Sequence, residues 1–334
     1  MQIACAAGAV AQTADQRSAV ILMYHRFGED RYPSTNIQMD QFQAHLDHLA
    51  AKDFRVIPLT QLIEAMKTGD PLPDKSVVIT IDDAYRSFAV KAWPRLKEKG
   101  FPATLFVATQ AVNEGYADIM SWDQLRRLRA EGLSIGHHGH GHVHMVDVGV
   151  DAAMADIAEA SALFEQELGD VPKILAYPFG EYSLAHAKAL EAAGFTAALA
   201  QHSGAVGLDD DLYAIPRFAL NERYGGLDRF RLLAGSRALP AKEIVPDEVV
   251  LDQQAQNPPA YGFTVTEEVA GLSAMNCFAS HLPERIEPMV LDDRVEIRMD
   301  KPFPPGRQRI TCTLPGPGGR WYWRGRFFYV PVLG

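Results

Sequence analysis

Val77-Val78-Ile79-Thr80-Ile81-Asp82-Asp83 is a run of β-branched apolar residues that ends in two adjacent carboxylates. Such a run, without polar alternation, reads as a strand buried on both faces. Two acids directly at its end repel each other unless a cation or a shared proton relieves them. A metal ion does so by taking one carboxylate as ligand and leaving the other as a nearby base. The plainer alternative is a helix N-cap followed by a first-turn acid, because Ala84 opens a helical stretch.

The same texture extends to both sides. Ala19–Tyr24, Ala103–Val107, Leu133–Gly136, Ile174–Tyr177 and Phe195–Leu199 are short apolar runs bounded by turn residues, and a seventh lies near Tyr213–Phe218. Amphipathic patterns separate them. Met39–Ala51 carries Phe42, Leu46 and Leu49 at helical spacing, and Trp122–Ala130 and Asp151–Leu168 behave alike. Asp40 and Ser121 are expected N-caps. Gly100, Gly132 and Gly194 each follow a helix and precede a strand. Strand–helix alternation over residues 18–240 predicts an α/β barrel or a doubly wound sheet.

After Leu239 the pattern changes. Pro246 to Pro259 reads as a linker, so that residues 241–259 join the α/β part to a C-terminal unit. In residues 260–334 helical periodicity gives way to short β-prone runs, Gly262–Val265, Arg294–Met299, Gln308–Leu314 and Tyr322–Val330, with Pro/Gly turns between them. That predicts a small all-β sandwich. Cys277 and Cys312 are expected to form a disulfide that staples its two sheets. Trp321, Tyr322 and Trp323 read as sandwich core with one exposed ring, or as a strip for sugar rings.

Gly136-His137-His138-Gly139-His140-Gly141-His142-Val143-His144 places five histidines directly after another expected strand. Core packing does not account for such density, and imidazole is the commonest nitrogen ligand for zinc and similar metals. Spacing leaves two frames, His138/His142 and His140/His144. Two nitrogens, one carboxylate and room for water make a hydrolytic metal site. His25, Tyr177-Pro178-Phe179-Gly180 and Arg217 also fall at expected strand ends, which converge at one mouth of an α/β barrel.

Taken together, Leu22-Met23-Tyr24-His25-Arg26, Thr80-Ile81-Asp82-Asp83-Ala84-Tyr85, Ser134–His142 and Tyr177-Pro178-Phe179-Gly180 resemble the motifs of the polysaccharide deacetylase family with the NodB homology domain (carbohydrate esterase family 4). The chain is most similar to its poly-N-acetylglucosamine deacetylase branch, over about residues 18–240. The resemblance implies a distorted (β/α)7 barrel. It implies Asp83, His138 and His142 as ligands of a divalent metal, with zinc first and cobalt, nickel or iron as alternatives, and Asp82 as general base. Tyr85, Tyr177 and Phe179, with Pro178 between the last two, are expected near the substrate, because the apolar face of a pyranose packs on a flat ring. Three departures stand out. Ala84 replaces the usual glycine after the paired acids. Ala176-Tyr177 stands where an arginine often steadies the catalytic acid, so Arg217 is read as the replacement, near the substrate. The Leu-x-His motif of the general acid is missing, which moves that role to His25.

Composition narrows the function further. The 334 residues are 47% hydrophobic and carry a formal net charge of −10. That argues against a nucleic-acid or anionic-membrane partner, since both need a basic face. No apolar run approaches the roughly 18 residues that span a bilayer. Residues 1–17 read as the remnant of a signal peptide, with Ala9-Val10-Ala11 as a cleavage site, or as a disordered N-terminus; the first reading implies a periplasmic or secreted bacterial protein. The expected activity is metal-dependent removal of N-acetyl groups from a polysaccharide. The alternatives are an O-acetyl esterase on a glycan and a non-catalytic glycan-binding protein.

Overall fold

The structure, a computed structural model, describes residues 15–251 and 256–332. The leader expected over residues 1–17 lies outside the described residues up to residue 14, as do residues 252–255 of the expected linker.

Strands β1 (Ser18–Tyr24), β2 (Ser76–Asp82), β3 (Thr104–Val107), β4 (Ser134–His137), β5 (Ile174–Ala176) and β6 (Ala197–Leu199) run parallel, each hydrogen-bonded to the next. Every residue of β1 and β2 is buried, because both faces of the sheet are covered. Alternation divides their side chains between two layers. Val20, Leu22, Val77, Ile79 and Leu105 pack outward with Phe42, Leu46 and Leu49 of the helix Met39–Ala51. Ile21, Val78, Phe106, Ala176 and Leu199 pack on the other side with Leu59, Leu62 and Ile63 of the helix Leu59–Thr68. Each such aliphatic chain contributes about 1.5–3 kcal/mol on burial.

The curled sheet closes through β7 (Phe218–Ala219), which pairs with β1 at Leu22 and Met23, while Ile215 makes a single parallel bridge to Leu199. The seventh strand expected over Tyr213–Phe218 is therefore broken. Pro216 has no N–H to donate and interrupts the ladder. This seam is what distorts the (β/α)7 barrel. The helix Met39–Ala51 starts after Gln38, whose N–H is bonded to the Gln41 side chain at 3.2 Å, so Asp40 lies in the first turn and is not the cap. Ser121 does cap its helix, accepting from Gln124 N–H at 3.3 Å.

The C-terminal strands form two four-stranded antiparallel sheets around one apolar core. One contains β8 (Ala241–Val245), β9 (Tyr261–Val265), β12 (Met289–Leu291) and β13 (Arg294–Ile297). The other contains β10 (Asn276–Ala279), β11 (Arg285–Ile286), β14 (Gly306–Pro315) and β15 (Trp321–Val330). Residues Ala241–Val245, in the stretch read as linker, thus supply a strand. Cys277 and Cys312 are disulfide-bonded. They face each other on adjacent strands β10 and β14, so the bond lies within one sheet and does not join the two. Their side chains point inward at the same register position, where antiparallel neighbours approach closely.

Strand β15 fastens the sandwich to the barrel. Trp323 accepts a hydrogen bond from Ala205 N–H at 3.1 Å and sets its ring edge-on to Phe218, with centroids 5.1 Å apart. Gly325 lies so close to Ser203 that a Cβ there would meet its carbonyl oxygen at 2.1 Å. Arg320 and Arg324 add ion pairs to Asp74 and Asp210. Among the described residues no helix is long and apolar enough to cross a membrane.

Candidate metal centre

The C-terminal ends of β2, β4 and β5 bring the paired acids, the histidine run and the Tyr177–Gly180 turn to one mouth. Asp83 Oδ1 lies 3.4 Å from His138 Nε2 and 3.5 Å from His142 Nε2. One ligand atom from each of the three falls within 4.8 Å of the others, so the group could hold a metal ion. The geometry selects the first histidine frame. His140 turns away to Thr109 and Glu159, and His144 stacks on Phe179 with centroids 3.7 Å apart and contacts Glu181 at 2.8 Å.

His138 Nδ1 engages the Ala176 carbonyl oxygen at 2.6 Å, which makes it the protonated nitrogen. In the neutral ring this leaves the lone pair on Nε2, which is buried with no hydrogen-bond partner among the described residues. An orphaned buried acceptor facing a carboxylate and a second imidazole fits a first-row divalent cation. Burial, reinforced by neighbouring His138, lowers the His142 pKa to about 4, so this ring is neutral and ready to ligate. Burial acts against ionised Asp83, yet His138, His25 and His142 outweigh it and hold the carboxyl well below its usual range. Burial likewise opposes the imidazolium at His138, but the two acids overcome it and raise its pKa.

Asp82 is fully buried beside this group and makes a two-pronged pair with Arg217, Nη1 to Oδ1 at 2.8 Å and Nη2 to Oδ2 at 2.9 Å. Arg217 is also fully buried, and its Nε donates to the Ala200 carbonyl at 3.0 Å. Burial raises the Asp82 pKa, but Arg217, with His138 and His25, more than offsets this and keeps it ionised. Arg217 therefore touches the acid and has no face toward a substrate. The charge that the sequence assigns to Arg217 thus sits against Asp82.

The backbone here is strained. Asp83, Ala84, His142 and Phe179 have φ of 72°, 56°, 50° and 57°. Each left-handed non-glycine residue costs about 1–3 kcal/mol, which the surrounding packing must offset. Ala84 thus adopts without glycine the conformation that glycine would favour. Gly139 is different: φ is 77° and a Cβ would lie 2.6 Å from Asp156 Oδ2. Asp156 accepts from the N–H groups of His140 and Gly141, each at 2.7 Å, and so shapes the histidine loop. Sequence reading missed Asp156, whose only signal is an acid facing inward from the helix Val150–Leu168.

His25, directly after β1, is half-buried and close enough to bear on the charges of Asp82 and Asp83. Tyr85 lies near Asp83 with Arg26 over its ring at 3.5 Å. Burial, then Asp83, pushes its pKa up to about 12. Phe179 reaches the mouth, its ring edge-on to His142 with centroids 4.4 Å apart. Tyr177 and Pro178 do not. Tyr177 is fully buried, stacked on Tyr182, with its hydroxyl donated to the Tyr213 carbonyl at 3.0 Å, and Pro178 is buried beside it. The strand end turns Tyr177 into the core, where no substrate reaches it.

Known proteins resemble this chain in sequence and in fold. Residues 69–198 match the sequence profile of the polysaccharide deacetylase family. The Bacillus subtilis (strain 168) protein YxkH is 27% identical over 207 residues, 62% of this chain and 72% of that one. The poly-β-1,6-N-acetyl-D-glucosamine N-deacetylase of Staphylococcus epidermidis is 24% identical over 233 residues, 62% of this chain and 80% of that one. The deacetylase PplD of Streptococcus pyogenes, solved in complex with acetate, shares the fold. Its TM-score is 0.60 at 19% identity, covering 65% of this chain and 97% of that one. Residues 69–198 thus match the polysaccharide deacetylase family, and the chain is similar in sequence to the poly-β-1,6-N-acetyl-D-glucosamine deacetylases.

Proposed function

We propose that the protein is a divalent-metal hydrolase that removes N-acetyl groups from a polysaccharide containing N-acetylglucosamine-type sugars and releases acetate. The observation that carries this reading is the convergence of Asp83, His138 and His142, with a partnerless buried nitrogen, on a second acid held ionised by Arg217. Asp83 Oδ1, His138 Nε2 and His142 Nε2 would hold the ion, for which zinc is the first choice and cobalt, nickel or iron the alternatives. Bound there, the ion would make water acidic and polarise the acetamide carbonyl.

The chain's own residues do the rest. Asp82 accepts the proton of the attacking water at a carboxylate oxygen. Each oxygen keeps a lone pair beyond those used by Arg217. His25 in its protonated form donates to the departing amine, which is a poor leaving group without a proton. Tyr85 and Phe179 flank the acetamide, and a flat ring such as Phe179 suits the apolar face of a pyranose. Residues 18–240 form the catalytic unit in this reading, with strand Ala241–Val245 and residues 260–334 as accessory unit and 246–259 as the connection within it. The Cys277–Cys312 disulfide supports action outside the cytoplasm, in the periplasm or after secretion.

The test compares acetate release from N-acetylglucosamine oligomers with release from an O-acetylated xylan oligomer, for the wild type and Asp82→Asn. The expected result is release from the amide that vanishes in the variant. Release from the ester alone would make the protein an O-acetyl esterase, and full activity of Asp82→Asn would remove that residue from the mechanism.

A further inference from the structure

Phe179, at the edge of the mouth, also lines a cleft of about 720 Å³ between the strand ends of the barrel and the barrel-facing sheet of the sandwich. Phe179 and Arg229 stand on the barrel side, and Phe278, Arg307, Arg309 and Trp323 on the sheet side. Among the described residues, those that line it include three arginines and no aspartate or glutamate, in a chain whose formal net charge is −10.

These arginines are poorly neutralised. Arg307 and Arg309 lie two apart on β14, facing Tyr329 and Phe327 of β15, so both project from the same side of the sheet. Like charges so placed repel unless an anion lies between them. Arg307 donates to the Phe179 carbonyl at 2.8 Å and keeps its Nε 3.5 Å from Glu181. Arg229 donates to the Tyr224 carbonyl at 2.9 Å. No carboxylate among the described residues forms an ion pair with Arg229 or Arg309; burial, and for Arg309 also the charge of Arg307, lower their pKa values. Aromatic surface accompanies the charge. Phe278 is 46% exposed on the sheet, and Trp323 has a buried indole N–H with no hydrogen-bond partner among the described residues. Guanidinium forks match carboxylates in two-pronged fashion, and aromatic rings match pyranose faces.

We propose that this cleft binds the polymer on one side of the reacting acetamide and selects chains that carry carboxylate groups. The substrate is then an acidic N-acetylated polysaccharide, with Arg229, Arg307 and Arg309 as its carboxylate-binding residues. This deepens the deacetylase reading and rests on it, and it gives the sandwich a part in substrate choice.

The experiment uses the full metal-loaded chain and two probes. One is a hexasaccharide of alternating N-acetylglucosamine and glucuronate, and the other is a neutral N-acetylglucosamine hexamer. Calorimetry reads binding, and acetate release is assayed separately. Wild type should bind the acidic hexamer at least about tenfold more tightly, since each charged hydrogen-bonded contact is worth about that factor. The preference should shrink between about 0.05 and 0.5 M salt. Arg309→Ala and Arg229→Ala should each erase most of it, and Arg309→Glu should reverse it. Equal binding of the two probes, binding of neither, or a preference that survives in all three variants overturns the proposal. Release from the neutral hexamer without acidic preference overturns only the selection. Acid-selective binding without any acetate release upholds the selection and overturns the deacetylase reading.

Discussion

Replacing Arg217 by methionine removes the counter-ion of Asp82 and leaves a carboxylate at 0% exposure inside the barrel. Two charge-assisted hydrogen bonds, of 2.8 and 2.9 Å, are lost, and the Ala200 carbonyl loses its donor. Breaking a buried pair from one side costs about 3–5 kcal/mol, because the remaining charge has neither water nor partner. For a domain of this size, that corresponds to a fall in Tm of roughly 6–20 °C. Asp82→Asn also leaves a partner unpaired. The double variant Asp82→Asn/Arg217→Met removes both charges and should recover part of the loss, with a coupling of about 2–3 kcal/mol. The assay is urea unfolding at neutral pH in the presence of chelator, so that metal binding does not contribute to the difference. A loss below about 1 kcal/mol for Arg217→Met, or strictly additive single variants, would refute the view that Arg217 is what makes a buried Asp82 tenable.

Asp156→Ala should leave the three metal ligands in place yet weaken metal binding about 10–100-fold, because the His140 and Gly141 N–H groups lose the acceptor that shapes the loop. A metal titration with unchanged affinity would show that the loop holds itself. Cys277→Ser/Cys312→Ser opens a crosslink between residues 35 apart and should cost about 4 kcal/mol, seen as a lower unfolding temperature by calorimetry; an unchanged temperature would count against it. Burial, with the lesser charge of His48, lowers the His45 pKa to about 4, and burial with Arg326, Arg324 and Arg309 lowers that of His202 to about 3. Both are neutral when folded, whereas the unfolded chain protonates them below about 6.5. Their contribution is full above that pH and is lost as pH falls toward 4, by about 1.4 kcal/mol per unit for each ring. His202→Gln should therefore flatten the dependence of unfolding free energy on pH between 6.5 and 4. A slope identical to wild type would contradict the assignment.

Much of this architecture is legible in the chain because local chemistry repeats it. The run ending in Asp82-Asp83 and the glycines after helices each announce an element whose neighbours are a short distance away in sequence. Five histidines after a strand announce a metal, but their spacing alone leaves two frames, and only the direction of β4 gives His138 and His142 to Asp83. Arg217 is expected at the mouth from the sequence. So is its charge beside the acid; its full burial away from the substrate is not, because Pro216 breaks the strand there. Tyr177 reads as facing substrate and does not, since a three-residue strand gives too little alternation to fix the inward side. Asp156, the register that pairs Cys277 with Cys312 in one sheet, and the reach of Arg307 to the Phe179 carbonyl all depend on long-range packing. No local pattern encodes that packing.

The most direct test of the central claim is a titration of chelated wild-type protein with zinc, cobalt, nickel or ferrous ion, following acetate release from an N-acetylglucosamine hexamer. The account predicts that release returns with added metal, levels off at about one ion per chain, the single site that a tetrahedral two-nitrogen, one-carboxylate set provides, and never returns in Asp83→Ala or His138→Ala. Full release by the chelated protein, or restoration by metal in those two variants, would contradict it.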